Sequence, residues 1–370
     1  TNFVVGGAQD YLILLVKNLD RSKFEPIIMG RMEGEWVSTI KGLPSVTCVD
    51  IPSLRREISP LRDVQATFQI WKACRKYKVD ILHTHSSKPG IIGRLGACLA
   101  GVKGTVHTIH GFSFHEFMPS WKRKFFIFLE RLMSKFTSVL ILYSKENFKT
   151  AKELKISASR SVEMFYYGID YTPFEDHVDV QMIRKQFGFN DDHYIIGFTG
   201  RFMEQKGLNI LIEAFCGIHK KFPHTRLLLV GDGALRPELE KQIQSVNLQH
   251  AVTITGFRSD IPKLLRSMNL FVMTSLWEGL SRSLAEAMYA ELPIIATDVG
   301  GTSDAIRHSE TGWLIKPMDV NAVTGAIEDA LLNPSKAKLY AKNASVWARN
   351  QFNLTTMSKN MEQVYFNLYE

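Results

Sequence analysis

The sequence predicts an α/β protein made of two doubly wound, Rossmann-like domains facing a central cleft. Three observations carry that expectation. Apolar runs of strand length alternate with longer helical patterns through both halves, the mark of parallel sheets with crossover helices. The 370 residues exceed one ordinary core and divide naturally into two of roughly 150 to 200 residues. Several of the strand-length runs end on glycine turns, and doubly wound sheets gather their ligands at the carboxyl ends of their strands.

In the first domain, residues 1–180, strands are expected at Pro26–Gly30, Val46–Asp50, Val79–His83, Thr105–Ile109, Val139–Tyr143 and Val162–Tyr166. Thr1-Asn2-Phe3-Val4-Val5 reaches Gly6-Gly7 with little room for the strand that feeds such a turn. Residues upstream of Thr1, including most of a central first strand, are therefore expected. The boundary falls near 168–190, where Gly168-Ile169-Asp170-Tyr171-Thr172-Pro173 closes the first pattern and the polar segment Glu175–Gln186 follows. The second domain, 181–350, has strand candidates at Tyr194–Thr199, Arg226–Val230, Val252–Thr255, Leu270–Thr274, Pro293–Thr297 and Trp313–Ile315. Residues 351–370 read as a C-terminal helix packing back towards the first domain.

Composition narrows the function classes. A hydrophobic content of 45% with 22% charged residues is that of a globular chain, neither disordered nor embedded in a bilayer. The densest apolar run, Leu12–Val16, is stopped by Lys17 and Asn18, far short of a membrane span. Cys48, Cys74, Cys98 and Cys216 are scattered without a C-x-x-C pair, which suits free thiols in the reducing cytoplasm rather than disulfides or zinc. The net charge of +8 is concentrated in the first half, where 25 Lys and Arg face 18 Asp and Glu. An anionic partner follows, but no nucleic-acid fold signature accompanies the charge, so nucleic acid is not expected.

Glu278 and Glu286 bracket Glu278-Gly279-Leu280-Ser281-Arg282-Ser283-Leu284-Ala285-Glu286, directly after the run Leu270–Thr274. That order predicts a strand end, a glycine turn and a helix start, with Glu278 in the loop and Glu286 about one turn into the helix. Eight steps of about 100° set the two carboxylates some 80° apart on a continuous helix, which does not suit a matched acid/base dyad. They suit two separate parts of one extended, hydroxyl-rich ligand lying across the helix N-terminus. The plainer alternative is a capping box from Ser283 to Glu286 and an ordinary loop carboxylate at Glu278.

Other motifs end on the same expected sheet edge. Gly200-Arg201-Phe202-Met203-Glu204-Gln205-Lys206-Gly207 lets Arg201, a bidentate donor, and Lys206, a point charge, converge on one anion. Gly231-Asp232-Gly233 and Asp298-Val299-Gly300-Gly301 supply further glycine turns. In the first domain Gly6-Gly7-Ala8-Gln9 opens a helix and exposes N–H groups to a ligand, or is simply a tight turn needing positive φ. His83 and His85 share a strand face, but no third ligand stands at suitable spacing and no metal is expected. His110, at a strand end before Gly111, is the candidate for touching substrate. Within residues 117–136, Trp121, Phe125, Leu129, Leu132 and Phe136 lie at helical spacing among Lys122, Arg123, Lys124, Arg131 and Lys135. The segment is either an interfacial helix on an anionic membrane or a core-packed helix with a solvated basic face.

Taken in order, Gly200-Arg201 to Lys206-Gly207, Val230–Gly233, Thr255-Gly256-Phe257, the Glu278/Glu286 motif and Pro293 to Gly301 resemble a retaining GT-B glycosyltransferase, family 4-like and of the capsular or exopolysaccharide type. His83–Gly90 and His107–Phe112 are similar to that type's acceptor-domain pattern, and the resemblance covers nearly the whole chain. It implies that Arg201 and Lys206 hold the diphosphate of a nucleotide sugar, most commonly UDP-linked, with Gly233 close by. Glu286 would hold the ribose hydroxyls, and Glu278 with the Gly279-Leu280-Ser281 backbone the sugar hydroxyls. His110, Gly6 and Gly7 would face the donor across the cleft.

Transfer with retention is attributed in this family to front-face attack, with the leaving phosphate accepting the acceptor's proton. No cofactor and no metal are implied, since Arg and Lys neutralise the developing charge. The partners implied are the nucleotide sugar, a glycan or lipid-diphosphate-linked acceptor and, through 117–136, the cytoplasmic face of the inner membrane. Leu280-Ser281-Arg282 departs from the more apolar sequence of many members, so Arg282 either tunes sugar choice or points to solvent. A UDP-sugar 2-epimerase of similar fold and a non-catalytic nucleotide-sugar-binding membrane adaptor are the alternatives.

Overall fold

The computed structural model describes residues 2–4 and 6–370, which divide into two compact units. The first runs to Ile169 and takes in Asn353–Glu370; the second is Asp170–Phe352. Thr1 and Val5, part of the segment from which a strand was expected to feed the glycine turn, lie outside the described residues.

Among the described residues, six parallel strands build the first unit: β1 (Ile27–Gly30), β2 (Thr47–Asp50), β3 (Ile81–His85), β4 (Gly104–Ile109), β5 (Val139–Leu142) and β6 (Ser161–Met164). They do not form one sheet. β1 pairs with β2, and β3, β4, β5 and β6 pair in that order as a separate sheet. A cavity of about 650 Å³ is lined by residues of both β1 and β3. β4 and β5 are buried along their whole length, as strands flanked on both sides and covered by helices should be. β3 starts two residues later than the apolar run suggests, because Val79 N–H is spent on Cys74 O in closing the preceding helix, at 3.0 Å.

The helix Leu354–Tyr369 packs in this unit against the helix Gly7–Asn18 and β3. Asn353 caps it by accepting from Thr356 N–H at 2.9 Å, and Tyr365 reaches His83 Nδ1 at 2.7 Å.

The second unit holds one parallel sheet: β7 (Tyr194–Thr199), β8 (Thr225–Val230), β9 (Val252–Ile254), β10 (Leu270–Met273), β11 (Ile294–Thr297) and β12 (Trp313–Ile315). Its spatial order is β12-β11-β10-β7-β8-β9. From β7 the chain adds strands first on one side, then crosses to β10 and adds them on the other, so the order reverses between β7 and β10. Residues 170–180, which the sequence pattern placed with the first domain, belong here. Tyr171 stacks on Tyr289 with ring centroids 3.6 Å apart, and Phe174 meets the same ring edge-on.

Candidate functional site

The loops at the carboxyl ends of β7 and β10 meet at the strand-order reversal. After β7 the chain turns at Gly200, carries the exposed Arg201, and makes one 3-10 turn, Glu204–Lys206. Gly207 ends that turn at φ 57° and starts the helix Leu208–Lys221. A Cβ on Gly207 would lie 2.3 Å from Thr274 O, so only glycine lets the two loops approach this closely. Thr274 Oγ1 donates to Gly207 O at 2.9 Å, and Leu276 N–H donates to Gln205 O at 2.7 Å.

This stitching sets Lys206 Nζ against Glu278 Oε1. Ser275 Oγ donates to the same oxygen at 2.9 Å, and Gln205 Nε2 donates to Glu278 Oε2 at 3.2 Å and to Trp277 O at 2.9 Å. The side chains of Glu278 and Lys206 are only 7% and 14% exposed. The result is a fixed carboxylate beside a fixed ammonium at the rim of the sheet, with Arg201, an exposed residue, on the same loop as Lys206.

Glu286 lies inside the helix Arg282–Tyr289, and its Oε1 accepts from Arg282 Nε at 2.8 Å. Arg282 is thus tied to Glu286 rather than pointing out to solvent. No capping box forms: Ser281 is the N-cap residue, and Ser283, already inside the first turn, bonds Ser281 Oγ at 3.0 Å. Glu278 and Glu286 have separate partners: Lys206, Ser275 and Gln205 for the first, Arg282 for the second. Leu280 and Ser281 are buried, so what they can offer a ligand is backbone.

The two other glycine turns brace the same edge. A Cβ on Gly300 would meet Glu278 O at 1.9 Å, and Gly301 N–H donates to Gly279 O at 2.6 Å. Gly231 packs against Gly200 O, and Gly233 against the backbone of Phe202.

The candidates of the first unit lie on its own elements, Gly6 and Gly7 at a helix start and His110 just after β4. Gly6 caps the helix Gly7–Asn18 at φ 170°, extended backbone open to any residue, so no left-handed turn is required there. His110 Nε2 lies 3.2 Å from His85 Nδ1, and the rings of His83 and His85 are 4.2 Å apart. Tyr11 touches His85, His110 and Tyr143 edge-on at 5.4 to 5.6 Å. Burial holds His110 down to about 4 and, with nearby His110, His83 down to about 3. His85 and His107 are also held well below the ordinary value, chiefly by burial. The lowering keeps these imidazoles neutral at pH 7. Among the described residues no group of three or more His, Cys, Asp or Glu is placed to hold a metal ion.

The helix Ser120–Ser134 buries Ile127, Glu130 and Met133. Its apolar face is not the single stripe that spacing suggested. Trp121, Phe125, Phe128 and Leu132 are exposed, Trp121 by 67% and Phe128 by 60%, while Leu129 and Phe136 are half-buried. Lys122, Arg123, Lys124, Arg131 and Lys135 are exposed beside them, and the lone acid of the helix, Glu130, is turned inward to Arg94 at 3.6 Å. No helix among the described residues is long and apolar enough to cross a membrane.

Gln205, Ser275, Tyr11, Tyr143 and Tyr365 are partners that the sequence did not announce. Ser275 and Gln205 each sit beside a motif residue, and only the apposition of the two loops gives them a role.

Two family models match the chain in succession: Glycosyltransferase Family 4 over residues 5–172 and Glycosyl transferases group 1 over residues 179–347. The UDP-Gal:alpha-D-GlcNAc-diphosphoundecaprenol alpha-1,3-galactosyltransferase of Escherichia coli is 30% identical over 333 residues, covering 88% of this chain and 84% of its own. The capsular polysaccharide biosynthesis glycosyltransferase CapM of Staphylococcus aureus is 24% identical, covering 84% and 83%. In fold, the chain superposes on Anabaena HepE, solved in complex with UDP-glucose, at a TM-score of 0.84 and 22% identity, covering 98% of this chain and 96% of that one. With its two parallel α/β units and these matches along nearly its whole length, the chain belongs to the family 4-like glycosyltransferases of the GT-B fold.

Proposed function

We propose that the chain transfers a hexosyl or N-acetylhexosaminyl unit from a UDP-linked donor to a glycan or lipid-diphosphate-linked acceptor in the assembly of a cell-surface polysaccharide. Transfer proceeds with retention and without a metal ion or other cofactor. The observation that carries this is the seating of Lys206 against the buried Glu278 where the strand order reverses. A cation for a diphosphate and a carboxylate for sugar hydroxyls stand side by side where a doubly wound sheet takes its ligand. The E. coli relative is named for a UDP-galactose donor and a diphosphoundecaprenol-linked acceptor, and the S. aureus relative for capsule synthesis, which supports both donor and acceptor class.

Arg201 and Lys206 hold the diphosphate, Gly233 leaves room for it, and Glu286 exchanges part of its bond to Arg282 for the ribose hydroxyls. Glu278, with the Gly279-Leu280-Ser281 backbone, fixes the sugar. As the bond from the anomeric carbon to the β-phosphate oxygen breaks, the acceptor oxygen bonds that carbon on the same face. The departing phosphate oxygen takes the acceptor's proton. Lys206 and Arg201 neutralise the charge it gains. From the first unit, His110 and the Gly6-Gly7 turn serve as substrate contacts. The exposed face of the helix Ser120–Ser134 rests on anionic lipid at the cytoplasmic face of the inner membrane, where a lipid-linked acceptor lies.

The test is incubation with radiolabelled UDP-galactose and UDP-N-acetylglucosamine, with and without a diphosphoundecaprenol-linked acceptor, for the native chain and for Glu286→Ala. Label should enter the acceptor with its anomeric configuration kept, and Glu286→Ala should abolish transfer without lowering the melting temperature. A 2-epimer formed in the absence of acceptor would make the chain a UDP-sugar 2-epimerase. Donor binding without turnover under any condition would make it a binding adaptor.

A further inference from the structure

The geometry points to the helix Pro60–Lys76, with the turn that leads into it, as a lipid-docking surface of the first unit, seated on an anionic bilayer at the carboxyl end of β3. For the identity of its partner it rests on the lipid contact proposed for the helix Ser120–Ser134, with which it shares no residue.

A helix that served only the core would bury its largest apolar residues. This one buries Ala66, Ile70, Ala73 and Cys74 and turns Leu61, Val64 and Phe68 outward, a stripe at i, i+3 and i+7. Leu61 is 81% exposed, as is Ile58 in the turn ahead of the helix, more than any other large apolar side chain among the described residues. Close packing fixes the helix in that rotation. On the buried face a Cβ on Gly96, in the helix Ser87–Ala100, would lie 2.8 Å from Ile70 Cγ2 and 3.1 Å from Thr67 O, so the two helices touch as closely as glycine allows. Scattered apolar residues on a surface are ordinary; four in one run mark a partner.

Charge identifies the partner. Arg62, Lys72, Arg75 and Lys76 are exposed on the same helix, and its one acid, Asp63, is held by Lys88 at 2.7 Å. Arg56 is exposed in the preceding turn, next to the exposed Glu57. Apolar side chains ringed by cations suit acyl chains under anionic headgroups. The helix Ser120–Ser134 repeats that composition, and the helix Ser87–Ala100 touches both: it packs on Pro60–Lys76, and its Arg94 reaches Glu130. Because β3, β4 and β5 are successive parallel neighbours, right-handed crossovers put Ser87–Ala100 and Ser120–Ser134 on one side of the sheet. A bilayer meets both exposed faces with one chemistry, where protein partners would need two matching epitopes. Lys88, in the first turn of the helix after β3, also donates to Glu57 O. Ile58 and Leu61 therefore stand at the edge that carries His85, and a bilayer seated there brings a lipid-linked headgroup to that edge.

Flotation with phosphatidylglycerol and with phosphatidylcholine vesicles tests this on the native chain and three double variants: Leu61→Glu with Phe68→Glu, Arg62→Glu with Arg75→Glu, and Trp121→Ala with Phe128→Ala. Light scattering gives the molar mass of each. The first two variants should each partition onto phosphatidylglycerol about tenfold less or lower still. Their melting temperatures should match that of the native chain, because the altered side chains support no core. Equal capture of the native chain by phosphatidylcholine would overturn the anionic bilayer as partner. Loss of flotation confined to the Trp121 and Phe128 variant would overturn this surface and leave the first lipid contact standing; loss confined to the other two would do the reverse. A native chain that floats with neither vesicle overturns both. A native dimer that Leu61→Glu with Phe68→Glu splits, with flotation unchanged, would make a second copy the occupant and overturn the proposal.

Discussion

Only 7% of the Glu278 side chain is exposed, and its charge is met by Lys206, Ser275 and Gln205. Removing the cation alone leaves a buried carboxylate with neutral partners. Lys206→Ala should therefore cost about 2 to 3 kcal/mol of unfolding free energy. Lys206→Met combined with Glu278→Gln removes both charges and should recover most of that loss, while transfer stays reduced about a hundredfold or more. Denaturant titration beside a labelled-donor assay separates the two effects; a double variant no more stable than Lys206→Ala would refute the charge argument. Gly300 offers a second residue-scale test. At φ 54°, with Glu278 O 1.9 Å from where a Cβ would stand, Gly300→Ala should lose about 2 kcal/mol or more. Gly188→Ala, at φ 71° with open space around it, should lose about 1 kcal/mol. Glu278, Lys206 and Gly300 were legible in the sequence because they belong to motifs. Gln205 and Ser275 were not, since hydrogen bonds between the loops after β7 and β10, neighbours in the sheet but far apart along the chain, leave no periodic trace.

At the scale of elements, the helix Ser120–Ser134 shows where spacing stops being informative. Apolar residues occur all around it, and period alone cannot tell which belong inside. The buried Arg94 decides. It donates to Gly90 O at 2.8 Å and Thr137 Oγ1 at 2.9 Å and draws Glu130 inward, which rotates Trp121, Phe125, Phe128 and Leu132 to the surface. Because those four side chains support no core, replacing Trp121 and Phe128 by Ala should change stability by no more than about 0.5 kcal/mol each. The same variants should float less with phosphatidylglycerol vesicles, and Lys122→Glu with Lys124→Glu should float least. Flotation unchanged by either pair would refute membrane contact through this face. The strands, in contrast, were legible nearly to the residue. Each is a short apolar run between turns, and the one start shifted by two residues rather than one or none, β3, follows from a helix-closing bond at Val79 that no strand pattern encodes.

For the molecule as a whole, pH acts on one unit more than the other. His83, His85, His107 and His110 are held neutral in the first unit, with His83 and His110 lowered from 6.5 to about 3 and about 4. The unfolded chain takes up protons at these positions near pH 6.5 and the folded one only far below. Stability is thus fully present above about pH 6.5 and is lost as pH falls towards 4, by up to about 1.4 kcal/mol per unit for each histidine. Melting followed by hydrogen exchange in β3 and β4 should show this fall, and His110→Asn should flatten it. A profile level between pH 7 and 4.5 would show that these imidazoles are not neutral in the fold.

The path of the chain has a practical meaning. The second unit is a single uninterrupted stretch, while the first is completed only by Asn353–Glu370. Where the chain leaves the first unit and where it returns, Ile169 and Asn353 form a parallel bridge. Just inside the second unit, Tyr171 stacks on Tyr289, Arg349 lies 3.8 Å over that same ring, and Tyr171 OH donates to Ala348 O. The two ends of the second unit are therefore clasped to one aromatic side chain of its own core. Such a segment can be cut out and grafted as a cassette, or swapped for its counterpart from a relative, with its ends already tied. The first unit has no such freedom, because its sheet is braced by a helix that the ribosome makes only after the entire cassette.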